Sequence, residues 1–272
     1  MSVLVVLAGC GNMGFAMLSG WLKSGRLQPA EVLVVEPNEA LRDRAEALGA
    51  GVIAKIGDIK SDIAPKLVIF AVKPQAMRDV VPAYARFAGG GGGTAFLSIA
   101  AGTGIKVFED MLGTGVPVIR CMPNTPAAIG KGMMVTFYNP HVTKETQQFV
   151  AELLAASGEV ARIDDEALMD AVTAVSGSGP AYVFHFIECL TAAGIAAGLP
   201  DETARLLAMQ TVHGAAALAA ESDETPGRLR EQVTSPNGTT AAALDVLMGG
   251  DRLKTLLKEA VEAARKRSVE LG

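Results

Sequence analysis

The chain is short of the side chains that most catalytic chemistries require. Its three histidines, His141, His185 and His213, lie far apart with no Cys, Asp or Glu at ligand spacing around them, which argues against a metal centre. Its three cysteines, Cys10, Cys121 and Cys189, are odd in number and scattered, a pattern that excludes a disulfide framework and fits reduced thiols in the cytoplasm. No Gly-x-Ser-x-Gly elbow occurs, so acyl transfer has no evident nucleophile. Positive charge is scarce as well: 24 Lys and Arg face 29 Asp and Glu, for a formal net charge of -5. That balance offers no field to attract nucleic acid or an anionic bilayer, so neither is expected as a partner. Long uninterrupted apolar runs are also missing. The longest, around Val183 to Leu199, is broken by His185 and Glu188 and suits a buried helix, with His185 a satisfied core residue, better than a membrane span. Met1 to Leu7 lacks a basic leader and runs straight into a glycine-rich turn, so it reads as a buried strand and not a signal peptide.

What remains is a chain of 272 residues, half of them hydrophobic, with room for two domains and a small soluble ligand. Up to residue 163, short Val/Ile/Leu runs alternate with helical patterns: Val3 to Ala8, Glu31 to Glu36, Leu67 to Val72, Ala95 to Ala100, Val116 to Cys121 and Met133 to Phe137. Continuous apolar strands of this kind are buried on both faces of a parallel sheet flanked by helices. After Ile163 the strand runs stop, and Ala/Leu/Glu-rich helices are broken at Ser176 to Pro180, Gly198 to Pro200, Thr225 to Gly227, Ser235 to Gly238 and Gly249-Gly250. The sequence therefore predicts an α/β protein: a Rossmann-like doubly wound sheet over residues 1–163, which binds a dinucleotide, and an all-helical domain over 164–272. The small-residue helices of the second domain leave it a modest core, so it is expected to pack against another copy, as a homodimer or a larger ring. The run Gly89 to Gly93 reads as a turn before a strand and receives no function.

The dinucleotide seat is Gly9-x-Gly11-x-x-Gly14, which follows the first strand and opens a helix through Met17, Leu18, Trp21 and Leu22. The first glycine allows the tight turn, the second lets the backbone approach a pyrophosphate, and the third permits close helix–strand packing. Asn12 and Met13 complete the loop, and the helix start points N–H groups at the phosphates. Glu36 ends the second strand, 22 residues beyond Gly14, where a carboxylate binds ribose hydroxyls. Such a carboxylate repels a 2′-phosphate, so NADH is preferred over NADPH, with Arg42 or Arg44 able to swing in and accommodate the phosphate. Ala71-Val72-Lys73-Pro74 closes another strand at the carboxyl edge of the sheet. Lys73 there either holds the nicotinamide ribose or an anion, or is a solvated lysine at a strand end.

A second loop, Ser235-Pro236-Asn237-Gly238-Thr239-Thr240, feeds a helix with hydroxyls where caps occur. It is either a cradle for a carboxylate or an ordinary capped helix, and two threonines where one cap would serve favour the ligand. Ser176-Gly177-Ser178-Gly179-Pro180 either lines a pocket or lets two helices cross closely. Hydride transfer to a C=N bond suits this poverty of acid–base groups. A protonated imine is already electrophilic, so the site must only align it and hydrogen-bond its nitrogen, which the Thr240 hydroxyl could do.

In order and spacing, these segments together with Ala100-Ala101-Gly102, Arg120 to Pro126 and Val233 to Thr240 resemble the pyrroline-5-carboxylate reductase family almost end to end. The resemblance implies reduction of 1-pyrroline-5-carboxylate to L-proline with NAD(P)H. It implies that Gly9 to Gly14 and Ala71 to Pro74 hold the cofactor and that Ser235 to Thr240 hold the substrate carboxylate and ring nitrogen, with Thr240 near that nitrogen. It also places Asp223 near the substrate and Gln232 near the cofactor, and implies dimers through C-terminal helices, often in rings. One departure is Asn237, where the family usually has the first glycine of Ser-Pro-Gly-Gly-Thr-Thr; Asn tolerates the left-handed conformation better than most residues. The family commonly favours NADPH, against the reading of Glu36. A β-hydroxyacid dehydrogenase, the nearest enzymatic rival, needs a lysine between Ser176 and Leu199, where none occurs. A non-enzymatic dinucleotide sensor would need the first loop and not the second.

Overall fold

The computed structural model describes residues 3–89 and 93–271, so Gly90 to Gly92 of the glycine run lie outside the described residues. By contacts the chain forms two compact units. One runs through Ser178 and takes back the chain from Ala264 onward, and the other is Gly179–Ala263.

The first unit is built on eight strands: β1 (Val5–Ala8), β2 (Val32–Val35), β3 (Gly51–Ile53), β4 (Leu67–Phe70), β5 (Ala95–Ser98), β6 (Val118–Met122), β7 (Gly132–Tyr138) and β8 (Gly158–Arg162), in the order β3-β2-β1-β4-β5-β6-β7-β8. Their helices are α1 (Asn12–Lys23), α2 (Glu39–Glu46), α3 (Met77–Val80), α4 (Ile105–Leu112), α5 (Lys144–Ala155) and α6 (Met169–Val172). The alternation of side chains along each strand explains the unbroken apolar runs. Val5 and Leu7 of β1, Leu67 and Ile69 of β4 and Leu97 of β5 face one core with Trp21 of α1 and Leu153 of α5. Val6, Val68, Phe70 and Phe96 face the other, with Tyr84 and Phe108. There Phe70 meets the Tyr84 ring edge-on at 5.2 Å and stacks on Phe108 at 5.9 Å. Each such fully buried apolar side chain contributes roughly 1.5–3 kcal/mol over exposure.

Two features depart from the expected sheet. β3 and β8 have no counterpart among the apolar runs, because β3 is three residues with an exposed glycine and β8 carries exposed Glu159 and Arg162. The sheet is also not wholly parallel: β7 runs antiparallel to β6. Only nine residues, with a single 3-10 turn at Thr125–Ile129, separate β6 from β7, too few for the crossover a parallel pair requires.

The segment after Ile163 remains tied to this sheet. Arg120 of β6 bonds Glu166 at 2.9 Å, and Ser268 donates to Asp170 at 2.6 Å. The break expected at Ser176 to Pro180 is not a loop. α6 widens into a π-turn at Thr173–Gly177, with the Ser178 N–H donating five residues back to the Thr173 carbonyl at 2.8 Å.

The second unit is helical: α7 (Gly179–Ala196), α8 (Asp201–Glu221), α9 (Pro226–Gln232), α10 (Thr239–Met248) and the start of α11 (Arg252–Leu271). Gly194 gives α7 and α8 a close approach, since a Cβ there would lie 3.2 Å from that of Ala204. Beyond Ala204 and Ala208, however, α7 to α10 bury no residue. Leu206 is 67% exposed, Val246 61% and Leu256 62%. His185, expected in the core, stands in solvent with its ring bonded to Glu188 at 3.0 Å, because a helix apolar on several faces and packed chiefly on one neighbour leaves most of them uncovered. Apolar surface on this scale calls for another protein chain. The 28.1 kDa chain is accordingly expected to elute and scatter as a dimer or a multiple of dimers; a monomer by light scattering would refute this. Among the described residues no helix is long and apolar enough to cross a membrane.

Candidate active site

β1 lies between β2 and β4, so the chain leaves it toward one edge of the sheet and returns to the other side. The turns after β1 and β4 therefore diverge at a crevice beyond the carboxyl ends of the strands, the usual ligand position in open α/β sheets. The Gly9 N–H donates to Val35 O at 2.9 Å, and the Ala71 N–H donates to Ala8 O at 2.8 Å, which joins the three loops. Gly9 has φ +90, and a Cβ on it would lie 2.8 Å from the Ala71 carbonyl oxygen. A Cβ on Gly14 would come within 2.6 Å of the Gly9 oxygen, so α1 can sit this close to β1 only with glycine there. At Gly11 a Cβ would meet nothing within 4 Å.

A cavity of about 460 Å³ opens here, lined by Gly9, Gly11, Glu36, Ala71, Val72 and Lys73 of the expected set. Lys55, Ile56, Asp79 and Tyr84 also line it and were not anticipated. The signal for Lys55 and Ile56 was the edge strand β3, which precedes them and is too short and too exposed to read as a strand. Asn12 and Met13, at the start of α1, instead border a second depression with Phe15, Lys23, Arg44 and Thr125. Pro74 opens a 3-10 turn for which Lys73 is the N-cap.

Glu36 is buried, and both its oxygens are held. The Cys10 N–H donates to Oε2 at 2.7 Å and the Asn38 N–H to Oε1 at 2.9 Å. Burial, together with this carboxylate, pushes the Cys10 thiol up to about 11, with Arg44 opposing, so Cys10 stays protonated at neutral pH. Arg42 is turned onto the backbone, its Nη1 donating to the carbonyls of Glu36 at 2.9 Å and Pro37 at 2.7 Å. The Arg44 guanidinium stacks on the Phe15 ring at 4.2 Å. The lining fits a dinucleotide: the turn is open where a pyrophosphate would lie, and no side chain caps α1 behind Gly11.

Among the described residues three α-helices, α1, α4 and α10, have glycine at the N-cap. Glu166 Oε1 accepts from the Ile105 N–H at 2.8 Å and so closes the start of α4, while no side chain closes α1 or α10. Of the two readings of this loop, the ordinary hydroxyl-capped helix is not formed. Gly238 is the N-cap, and Thr239 and Thr240 are the first two helical residues. Among the described residues, the hydroxyls of Ser235, Thr239 and Thr240 have no hydrogen-bond partner. Pro236 and Asn237 form the turn, Asn237 at φ +62 in the left-handed region, and the Gly238 N–H donates to Ser235 O at 3.0 Å. Gln232 ends α9 and Asp223 precedes it, both exposed, and Ser178 leaves the π-turn half-buried.

A mostly parallel doubly wound sheet with a glycine turn at its switch point and an acidic residue ending β2 defines an NAD(P)-dependent oxidoreductase. Comparison with known proteins agrees. Residues 3–102 match the family described as NADP oxidoreductase, coenzyme F420-dependent, and residues 166–271 match pyrroline-5-carboxylate reductase dimerisation. The chain is 38% identical to pyrroline-5-carboxylate reductase of Pisum sativum, over 97% of this chain and 94% of that one. The solved pyrroline-5-carboxylate reductase of Coxiella burnetii superposes with a TM-score of 0.92 at 32% identity, over 100% of this chain and 99% of that one. The Plasmodium falciparum enzyme, solved with NADP bound, gives 0.85 at 27% identity, over 99% and 98%. The chain belongs to the pyrroline-5-carboxylate reductase family.

Proposed function

We propose that the protein reduces 1-pyrroline-5-carboxylate to L-proline, the last step of proline biosynthesis, in the cytoplasm. The observation that carries this reading is the helix start at Thr239, which has neither a side-chain cap nor partners for its hydroxyls, in a chain similar to these reductases over its whole length. Gly9, Gly11, Asn12, Met13 and Gly14, with Ala71 to Pro74 and Gln232, hold the cofactor, and Lys73 meets its nicotinamide ribose. Ser235 to Thr239 and the free N–H groups of α10 hold the substrate carboxylate. Ser178 and Asp223 border the ring. When bound, the reduced nicotinamide supplies the hydride for the C=N carbon. Thr240 Oγ1 donates a hydrogen bond to the lone pair of the ring nitrogen and orients the imine, and the loop fixes the carboxylate so that the ring presents one face. The division of work follows residues 1–163 for the cofactor and 164–272 for substrate and self-association, in dimers or rings of dimers. The three unpaired cysteines support the cytoplasmic placement.

The cofactor is NADH in preference to NADPH. Glu36 is held at the end of β2, and Arg42 and Arg44, the cations that could have met a 2′-phosphate, are occupied by carbonyls and by Phe15. Purified protein mixed with 1-pyrroline-5-carboxylate is expected to oxidise NADH faster than NADPH and to yield proline. Faster NADPH oxidation would keep the reaction and reject the argument from Glu36. Folded protein that binds either cofactor and oxidises neither would reject the reaction.

A further inference from the structure

Asn124 follows β6 and is the N-cap of the 3-10 turn at Thr125–Ile129, a position where Asn normally caps with its side chain. Here the side chain makes no cap. Its Oδ1 accepts from the Met133 N–H of β7 at 2.8 Å, which fixes the amide's orientation because a backbone N–H can face only the oxygen. Nδ2 is thereby turned to the π-turn, donating to the Ser176 carbonyl at 3.2 Å, with Ser176 Oγ at 3.4 Å.

The reason that carbonyl needs a donor is legible in the chain. In a helix Ser176 O would accept from the N–H four residues on, and that residue is Pro180, which has none. A π-turn at this point loosens the ladder further, and such turns are frequent at functional sites. The turn also rests on the end of β6, since a Cβ on Gly177 would lie 3.3 Å from Met122 Sδ. Asn124 thus supplies from outside the helix the hydrogen that Pro180 cannot, at the residue two before Ser178.

We propose that Asn124 is a positioning residue for the imine: its bond to the Ser176 carbonyl holds the π-turn in the shape that presents Ser178 to the substrate. The inference rests on the reading of Ser178 given above. Asn124→Asp keeps an oxygen for Met133 N–H and places another against the Ser176 carbonyl. It is expected to raise KM for 1-pyrroline-5-carboxylate roughly tenfold, the scale of one lost bond to a part-buried carbonyl, with KM for the cofactor unchanged. Asn124→Ala should do the same, and adding Pro180→Ala, which restores an N–H at residue 180, should bring KM for the imine back toward the parent value. A lowered Tm with KM for the imine unchanged, an equal rise in both KM values, or a double variant no better than Asn124→Ala would each overturn the proposal. If Asn124→Ala does not fold, Asn124→Asp decides. Ser178→Ala measured alongside separates the two readings: unchanged KM in that variant rejects the role of Ser178, and the Asn124 variants still report on the turn.

Discussion

Replacing Thr240 by alanine is expected to lower kcat about a hundredfold while the dissociation constant for the cofactor stays as it was, the signature of losing one hydrogen-bond donor at the reacting atoms. The residue occupies the second helical position of α10, beyond a glycine N-cap, and among the described residues its hydroxyl has no hydrogen-bond partner. Alanine is the better helix former at such a position, so the variant should be as stable as the parent and its loss of turnover cannot be ascribed to unfolding. Thr240→Ser keeps the hydroxyl and should recover most of kcat. Full activity in Thr240→Ala, measured as kcat at saturating imine, would remove Thr240 from the mechanism and leave the N–H groups of α10 with the Ser235 and Thr239 hydroxyls as donors there.

Glu36→Gln is expected to shift the ratio of kcat/KM for NADPH over NADH by at least about tenfold toward NADPH, since two like charges a few ångströms apart at a partly wet site repel by roughly 1–4 kcal/mol. Glutamine preserves the shape and keeps its one oxygen for the Cys10 N–H, which holds the glycine turn, while its NH2 group gives up the bond from the Asn38 N–H. Lys55 and Lys73 line the same cavity and outnumber its remaining carboxylate, Asp79, once Glu36 is neutral. A proportionate loss with both cofactors would mean that Glu36 serves to hold the Cys10 turn and does not discriminate at the ribose.

Local chemistry made much of this legible. The glycine turn could be read because Gly9 and Gly14 answer to steric demands that act within a few residues and across one neighbouring strand, and Asn237 could be expected in the left-handed region because its side chain is among the few that tolerate it. The central strands were legible because burial on both faces leaves a continuous apolar run. β3 and β8, at the two edges, bury less and leave no such run, and with β3 went Lys55 and Ile56. The antiparallel β7 was hidden for a different reason. Strand direction depends on the length and course of the connection and not on the strand's own residues.

By itself the sequence determined the two kinds of architecture, the glycine turn after β1 and the loop before α10, because periodicity, glycine placement and turn chemistry are properties of short stretches of chain. Only the tertiary structure decided that Glu36 is gripped by two backbone N–H groups, that Arg42 and Arg44 are occupied, that Glu166 closes α4, and that Asn124 serves the Ser176 carbonyl. Each of these joins polar groups brought together by the packing of separate elements. A buried donor or acceptor must find its partner wherever the fold places one, and nothing in the chain around it names that partner in advance.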